Sequence, residues 1–157
     1  MLTGTQAAEL GRWRGAERLA AVFTSDLGRS VQTAEIAFGA SGVPILRDPR
    51  LRECNYGVLN GAPVSVVDRD HAERVSVPFP EGESYRDVAD RVAAFLADLR
   101  IEHAGQRILV VGHRATRWSL DHLLAGADLR DLVVAPFDWR PGWEYVLDDD
   151  RPSVSSG

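Results

Sequence analysis

Ala20-Ala21-Val22-Phe23-Thr24-Ser25-Asp26-Leu27-Gly28-Arg29-Ser30-Val31-Gln32-Thr33-Ala34 is the stretch on which the reading of the fold turns. Ala20 to Phe23 is an apolar run of strand length, and Ser25-Asp26 offers a cap before a helix predicted over Leu27 to Phe38 and ended by Gly39. A strand therefore feeds a helix. The same order returns downstream: Arg107 to Gly112 carries Ile108, Leu109, Val110 and Val111 and ends at His113, after which Leu120, Leu123 and Leu124 mark a helix closed by Gly126. Val43 to Leu46 is another strand candidate, broken off by Asp48-Pro49.

Between these pieces Ser84 caps the clearest helix, with Asp87 as its capping-box partner and Val88, Val92, Phe95, Leu96 and Leu99 along one face. Leu2, Ala7, Leu10, Trp13 and Leu19 recur at helical spacing behind Thr3, which predicts a first helix over Leu2 to Leu19. Asn60 to Glu83 contains Pro63, Pro78 and Pro80, keeps no period, and reads as an irregular excursion with one short helix that could serve as a lid. Trp143 to Leu147 alternates as a last strand, and residues 148–157 read as a flexible tail. Strands alternating with helices over residues 1–147 predict an α/β domain with a mainly parallel sheet covered on both faces. Ligands of such sheets gather outside the carboxyl ends of the strands, where His113 and the Ser25 to Arg29 turn both fall.

The bulk composition agrees with one globular domain: 157 residues, 45% hydrophobic and 26% charged. A net charge of −5 argues against a broad basic surface for nucleic acid, and no apolar run is long enough to span a bilayer. With a single cysteine, Cys54, no internal disulfide can form, and a cytoplasmic location is expected. All 18 basic residues are arginine, a bias that matches GC-rich coding more than any function.

Three strings carry chemistry. In Thr24 to Ala34, Arg29 stands in the first turn of a helix, where its guanidinium and free backbone N–H groups suit an anion, although a lone helical Arg is ordinarily a solvated one. In Leu51-Arg52-Glu53-Cys54-Asn55-Tyr56-Gly57, Glu53 lies near a strand end; alone it reads as a surface carboxylate. In Val110-Val111-Gly112-His113-Arg114-Ala115-Thr116-Arg117, a histidine follows a strand, and Gly112 leaves room for an approaching group. His71, His103 and His122 match no motif or metal-ligand spacing and read as surface residues; no metal or cofactor is expected. Trp13, Trp118, Trp139 and Trp143 read as core or rim packing.

Taken in order, the three strings resemble the histidine phosphatases of the phosphoglycerate-mutase-like superfamily. The resemblance implies a three-layer α/β/α sandwich, a small phosphorylated substrate, and phosphate ligands at Arg29 and His113, with Glu53 as proton donor to the leaving oxygen. An acid in that role needs a raised pKa. Arg114 and Arg117 are candidates for the pocket wall, Arg114 standing where the family often has a small residue. Pro80-Glu81-Gly82-Glu83-Ser84, with Arg91 downstream, resembles the family's Gly-Glu-Ser helix entrance, though capping alone accounts for Ser84.

The family's nucleophile is the histidine of an Arg-His-Gly motif on a central first strand. No Arg-His-Gly occurs in this sequence, and Leu2-Thr3-Gly4-Thr5-Gln6-Ala7 resembles a shortened form of the helix start that follows it. The expectation is an amino-terminally incomplete domain lacking that strand and unable by itself to form phosphohistidine. The alternatives are a pseudophosphatase that only binds phosphate, a phosphoglycerate-mutase-like phosphotransferase, and a chain completed by a partner or a swapped copy, which keeps a homodimer among the candidate assemblies.

Overall fold

A computed structural model describes residues 18–138, 140 and 142–147. Strand β1 (Ala21–Thr24) is the centre of a three-stranded parallel sheet, with β2 (Ile45–Arg47) on one side and β3 (Ile108–Val111) on the other. Phe23 is in register with Leu46 on β2 and Val110 on β3. Helix α1 (Gly28–Phe38) joins β1 to β2, and two short helices, α2 (Val64–Val67) and α3 (His71–Arg74), lead to the long α4 (Tyr85–Glu102) before β3. Beyond β3 come α5 (Arg114–Ala125) and α6 (Leu129–Val134).

Side chains alternate across a strand, so each strand feeds two layers. Ala21, Phe23, Ile108 and Val110 face α4 and α5 and pack with Val92, Phe95, Leu96 and Trp118. Val22, Leu109, Val111 and Ile45 face the other way, onto Ala34 and Phe38 of α1. Burial on both faces explains why these strands read as continuous apolar runs rather than alternating ones. The result is the expected α/β/α arrangement. Its clearest helix starts as the sequence indicates: Ser84 Oγ accepts from the Asp87 amide and Asp87 Oδ2 accepts from the Ser84 amide. Gly126, at φ 75°, closes α5 in the left-handed conformation that glycine adopts without strain.

Several expectations need correction. Helix α1 is entered through Leu27, with no side-chain cap, because Ser25 and Asp26 are engaged by tertiary partners described below. The excursion holds two short α-helices rather than one, and it is no loose lid: Val67, Val75 and Phe79 are all buried in the main core. Trp143 to Leu147 pairs with no strand among the described residues, and the Tyr145 hydroxyl donates to Asp121 on α5. On the side away from β1, β3 has no strand partner among the described residues, and its four residues are only half-buried where those of β1 are buried. The helix expected over Leu2 to Leu19 lies outside the described residues except for Arg18 and Leu19, which are not helical. The tail 148–157 lies outside them entirely, as do Trp13 and Trp139. Among the described residues no helix is long and apolar enough to cross a membrane.

Candidate active site

The carboxyl ends of β1 and β3 are tied together before any functional group is considered. Thr24 Oγ1 and Ser30 Oγ share a 2.7 Å hydrogen bond, and Ser30 Oγ donates to the Val111 carbonyl at 3.0 Å. Across this junction Ser25 Oγ lies 2.8 Å from His113 Nε2, with Ser25 fully buried. Asp26 receives Nε and Nη2 of Arg52, each at 2.6 Å, which draws the segment carrying Glu53 to the end of β1. This is why neither residue caps α1.

Glu53 meets the same corner from the other side. Its Oε1 accepts from the Cys54 amide at 2.8 Å and from the Ala115 amide, in the first turn of α5, at 3.3 Å. Thr116 completes the junction, accepting from the His113 amide at 3.1 Å and donating to the Leu51 carbonyl at 3.1 Å. Gly112 serves that junction: a Cβ there would sit 2.8 Å from the Thr116 side chain, so the glycine makes room for the start of α5. Arg29 stands in the first turn of α1, exposed and without an ion-pair partner among the described residues. The Ser30 and Val31 amides both donate to the Leu27 carbonyl, which leaves those of Gly28 and Arg29 ahead of the helical ladder, so Arg29 and the start of α1 present donors to an anion.

Burial lowers the pKa of His113 below its ordinary 6.5, although the negative charge of Glu53 opposes this. The sign of the pH dependence follows. Below about pH 6.5 the unfolded chain binds a proton that folded His113 resists, so this residue contributes stability above that pH and loses it as pH falls toward the folded-state value. Urea midpoints measured from pH 7.5 to 5.5 are expected to fall, and His113→Asn is expected to flatten that slope.

One half-buried cation emerges as the organiser of the Glu53 segment. Arg91 Nη1 donates to the Arg50 and Arg52 carbonyls at 2.7 and 2.9 Å, and Nη2 to the Glu53 carbonyl at 3.0 Å. Nε and Nη2 also fork Glu83, at 2.8 and 3.0 Å. Glu83 Oε2 accepts from the Asn55 amide at 2.9 Å. The five hydrogen bonds from Arg91 match the donor capacity of a guanidinium. A sequence signal existed: Arg91 falls at helical spacing between Val88 and Phe95, a charge on an otherwise buried stripe.

The remaining candidates part company. Arg114 turns toward the excursion, donating to both oxygens of Asp68 at 3.0 and 2.7 Å and stacking 4.8 Å over Trp118. His71, read from sequence as a surface residue, is buried: Nδ1 lies 2.9 Å from the Val133 carbonyl, Nε2 lies 2.7 Å from Asp68, and the ring packs against Tyr85 and Trp118. Arg117 is not gathered with the others. It lies 4.2 Å over Trp143, and its Nε sits 3.3 Å from Asp121 without an aligned hydrogen bond, so that contact is ionic.

The strand ends of this parallel α/β sheet gather a histidine, a carboxylate and an arginine-bearing helix entrance, the region where ligands of such sheets bind. The chain belongs to the histidine phosphatase superfamily (branch 1), whose sequence profile matches residues 3–138. Among curated relatives it is 38% identical over 121 residues to the probable phosphoglycerate mutase GpmB of Escherichia coli, a match covering 72% of this chain and 53% of that protein. It therefore spans about half the length of the curated relatives it matches. Among solved structures, Bacillus stearothermophilus YhfR superposes with a TM-score of 0.74 at 28% identity, covering 88% of this chain and 72% of that one. The mycobacterial glucosyl-3-phosphoglycerate phosphatase bound to inorganic phosphate shares the fold, with a TM-score of 0.72 at 24% identity over 85% and 72% of the two chains.

Proposed function

We propose that this chain forms the phosphate-binding and proton-donating part of a cytoplasmic phosphomonoester hydrolase of the histidine phosphatase type, acting on a small phosphorylated metabolite. What supports the reading is the junction at which Ser25, His113 and Glu53 are tied to the ends of β1 and β3, with Arg29 at the neighbouring helix entrance. In the reaction a histidine attacks phosphorus as the P–O bond to the leaving group breaks. Glu53 gives its proton to the departing oxygen, and Arg29 and His113 hold the phosphoryl oxygens as their charge redistributes. Water, losing a proton to Glu53, then cleaves the N–P bond, releasing phosphate and restoring both the histidine and the acid.

The sequence contains no Arg-His-Gly, so the attacking histidine comes from outside these residues. On the side away from β1, β3 has no strand partner among the described residues, and a strand carrying that histidine would fit there. The missing motif also favours a second reading, a module that binds phosphate without turnover. The chain incubated with p-nitrophenyl phosphate is expected to release no nitrophenol and to form no acid-labile phosphoprotein. Turnover abolished by His113→Ala would show that a nucleophile within these residues suffices, and would overturn both readings of the chain.

A further inference from the structure

We propose that the Asp68–Arg114 pair is a specificity-determining element that selects against substrates carrying a second anionic group beside the transferred phosphate. The inference rests on the function proposed above, because it takes Glu53 as marking the leaving-group side of the pocket. An acid that protonates the leaving oxygen stands next to the remainder of the substrate. Arg114 directly follows His113 at the start of α5. Arg114 thus stands between His113 and Ala115, whose amide meets Glu53, and a substrate carboxylate on that side would seek its guanidinium.

That cation is already engaged. Both terminal nitrogens of Arg114 are aimed at Asp68, and its planar face is stacked on Trp118. Burial works against ionisation of Asp68, but its hydrogen bond from Arg114 and the charges of Arg114 and His71 hold its pKa below the usual carboxylate value, so it remains an anion at neutral pH. An incoming carboxylate would have to displace Asp68 from a bidentate geometry and then sit beside it. Bidentate carboxylate recognition is geometrically demanding and leaves few donors to spare. The pair is anchored from the excursion side, since Asp68 also meets His71, which is fixed to the Val133 carbonyl of α6. A phosphate ester with an uncharged remainder meets no such cost.

Glycerol 3-phosphate and 3-phosphoglycerate make a matched test, differing by a hydroxymethyl in place of a carboxylate. Calorimetric titration of the chain is expected to show glycerol 3-phosphate bound at least as tightly as 3-phosphoglycerate. Asp68→Asn, which keeps the side-chain shape and frees Arg114, is expected to shift the ratio of the two affinities toward 3-phosphoglycerate by about fivefold or more, the scale of one partly exposed charge contact. Adding Arg114→Gln to Asp68→Asn is expected to abolish the shift. A ratio unmoved by Asp68→Asn, with both esters still binding, overturns this inference and leaves the proposed function standing. Failure of the unmodified chain to bind either ester removes the proposed function and this inference with it.

Discussion

Arg91→Ala is expected to lower the unfolding free energy by about 2–4 kcal/mol, the range for breaking a largely buried ion pair, discounted for its partial exposure. The side chains of Arg91 and Glu83 are 19% and 27% exposed, so the loss is not that of a surface bridge. Removal of the guanidinium strands the carbonyls of Arg50, Arg52 and Glu53 together with the Glu83 carboxylate. Arg91→Lys restores charge but not the planar fork, so it is expected to recover less than half of the loss in urea unfolding. A pH signature accompanies it. Burial opposes ionisation of Glu83, but Arg91 and the Asn55 amide hold its pKa below the usual 4.5. The pair therefore stabilises the fold above that pH, and the difference between native chain and Arg91→Ala is expected to shrink as the solution is acidified below it. A difference independent of pH would mean that Glu83 is not the partner that matters.

Gly57→Ala is the second large effect, expected at about 3–4 kcal/mol from a left-handed backbone and a steric clash combined. Gly57 has φ +56°, and a Cβ placed on it would lie 1.9 Å from the Pro80 carbonyl oxygen. No side-chain rotation relieves this, because the obstruction is backbone. The two stretches of chain meet here closely: Val58 donates to the Pro80 carbonyl at 3.1 Å and Glu83 to the Asn55 carbonyl at 2.8 Å. Gly61→Ala is the natural comparison, since Gly61 has φ +83° but nothing within 4 Å of where a Cβ would stand, and it is expected to cost only the conformational part, about 1 kcal/mol. Equal thermal shifts for the two variants would refute the role of the Pro80 contact. Both large effects concern the turn that carries Glu53, which is therefore among the most constrained segments in the protein.

Much of this could be read from sequence because the apolar runs of β1 and β3 and the buried stripe of α4 obey local periodicities. The Ser84–Asp87 box and the Gly126 stop are likewise local features, set by residues a turn apart. The failures share a different cause. Ser25 and Asp26 have the chemistry of helix caps, yet His113 and Arg52, distant in sequence, claim them. His71 is polar in a polar stretch and still buried, because Asp68 and the Val133 carbonyl meet both ring nitrogens. Trp143 to Leu147 has a strand's alternation, but a strand needs a neighbour as well as a pattern, and none pairs with it among the described residues. The candidate site followed the same rule: three motifs pointed to His113, Glu53 and Arg29, and Arg91 showed as a charge on the buried stripe of α4, but its bonds to the Glu53 segment join residues distant in sequence, which no local pattern gives.

The phosphoryl pocket proposed at the junction of Ser25, His113 and Glu53, with Arg29 beside it, is tested most directly by titrating the chain with inorganic phosphate in a calorimeter. A pocket that survives without its nucleophile predicts one saturable site per chain, weakened at least tenfold by Arg29→Ala or His113→Ala, a loss on the scale of one charge-assisted hydrogen bond. Absence of saturable binding, or binding indifferent to both substitutions, would contradict it.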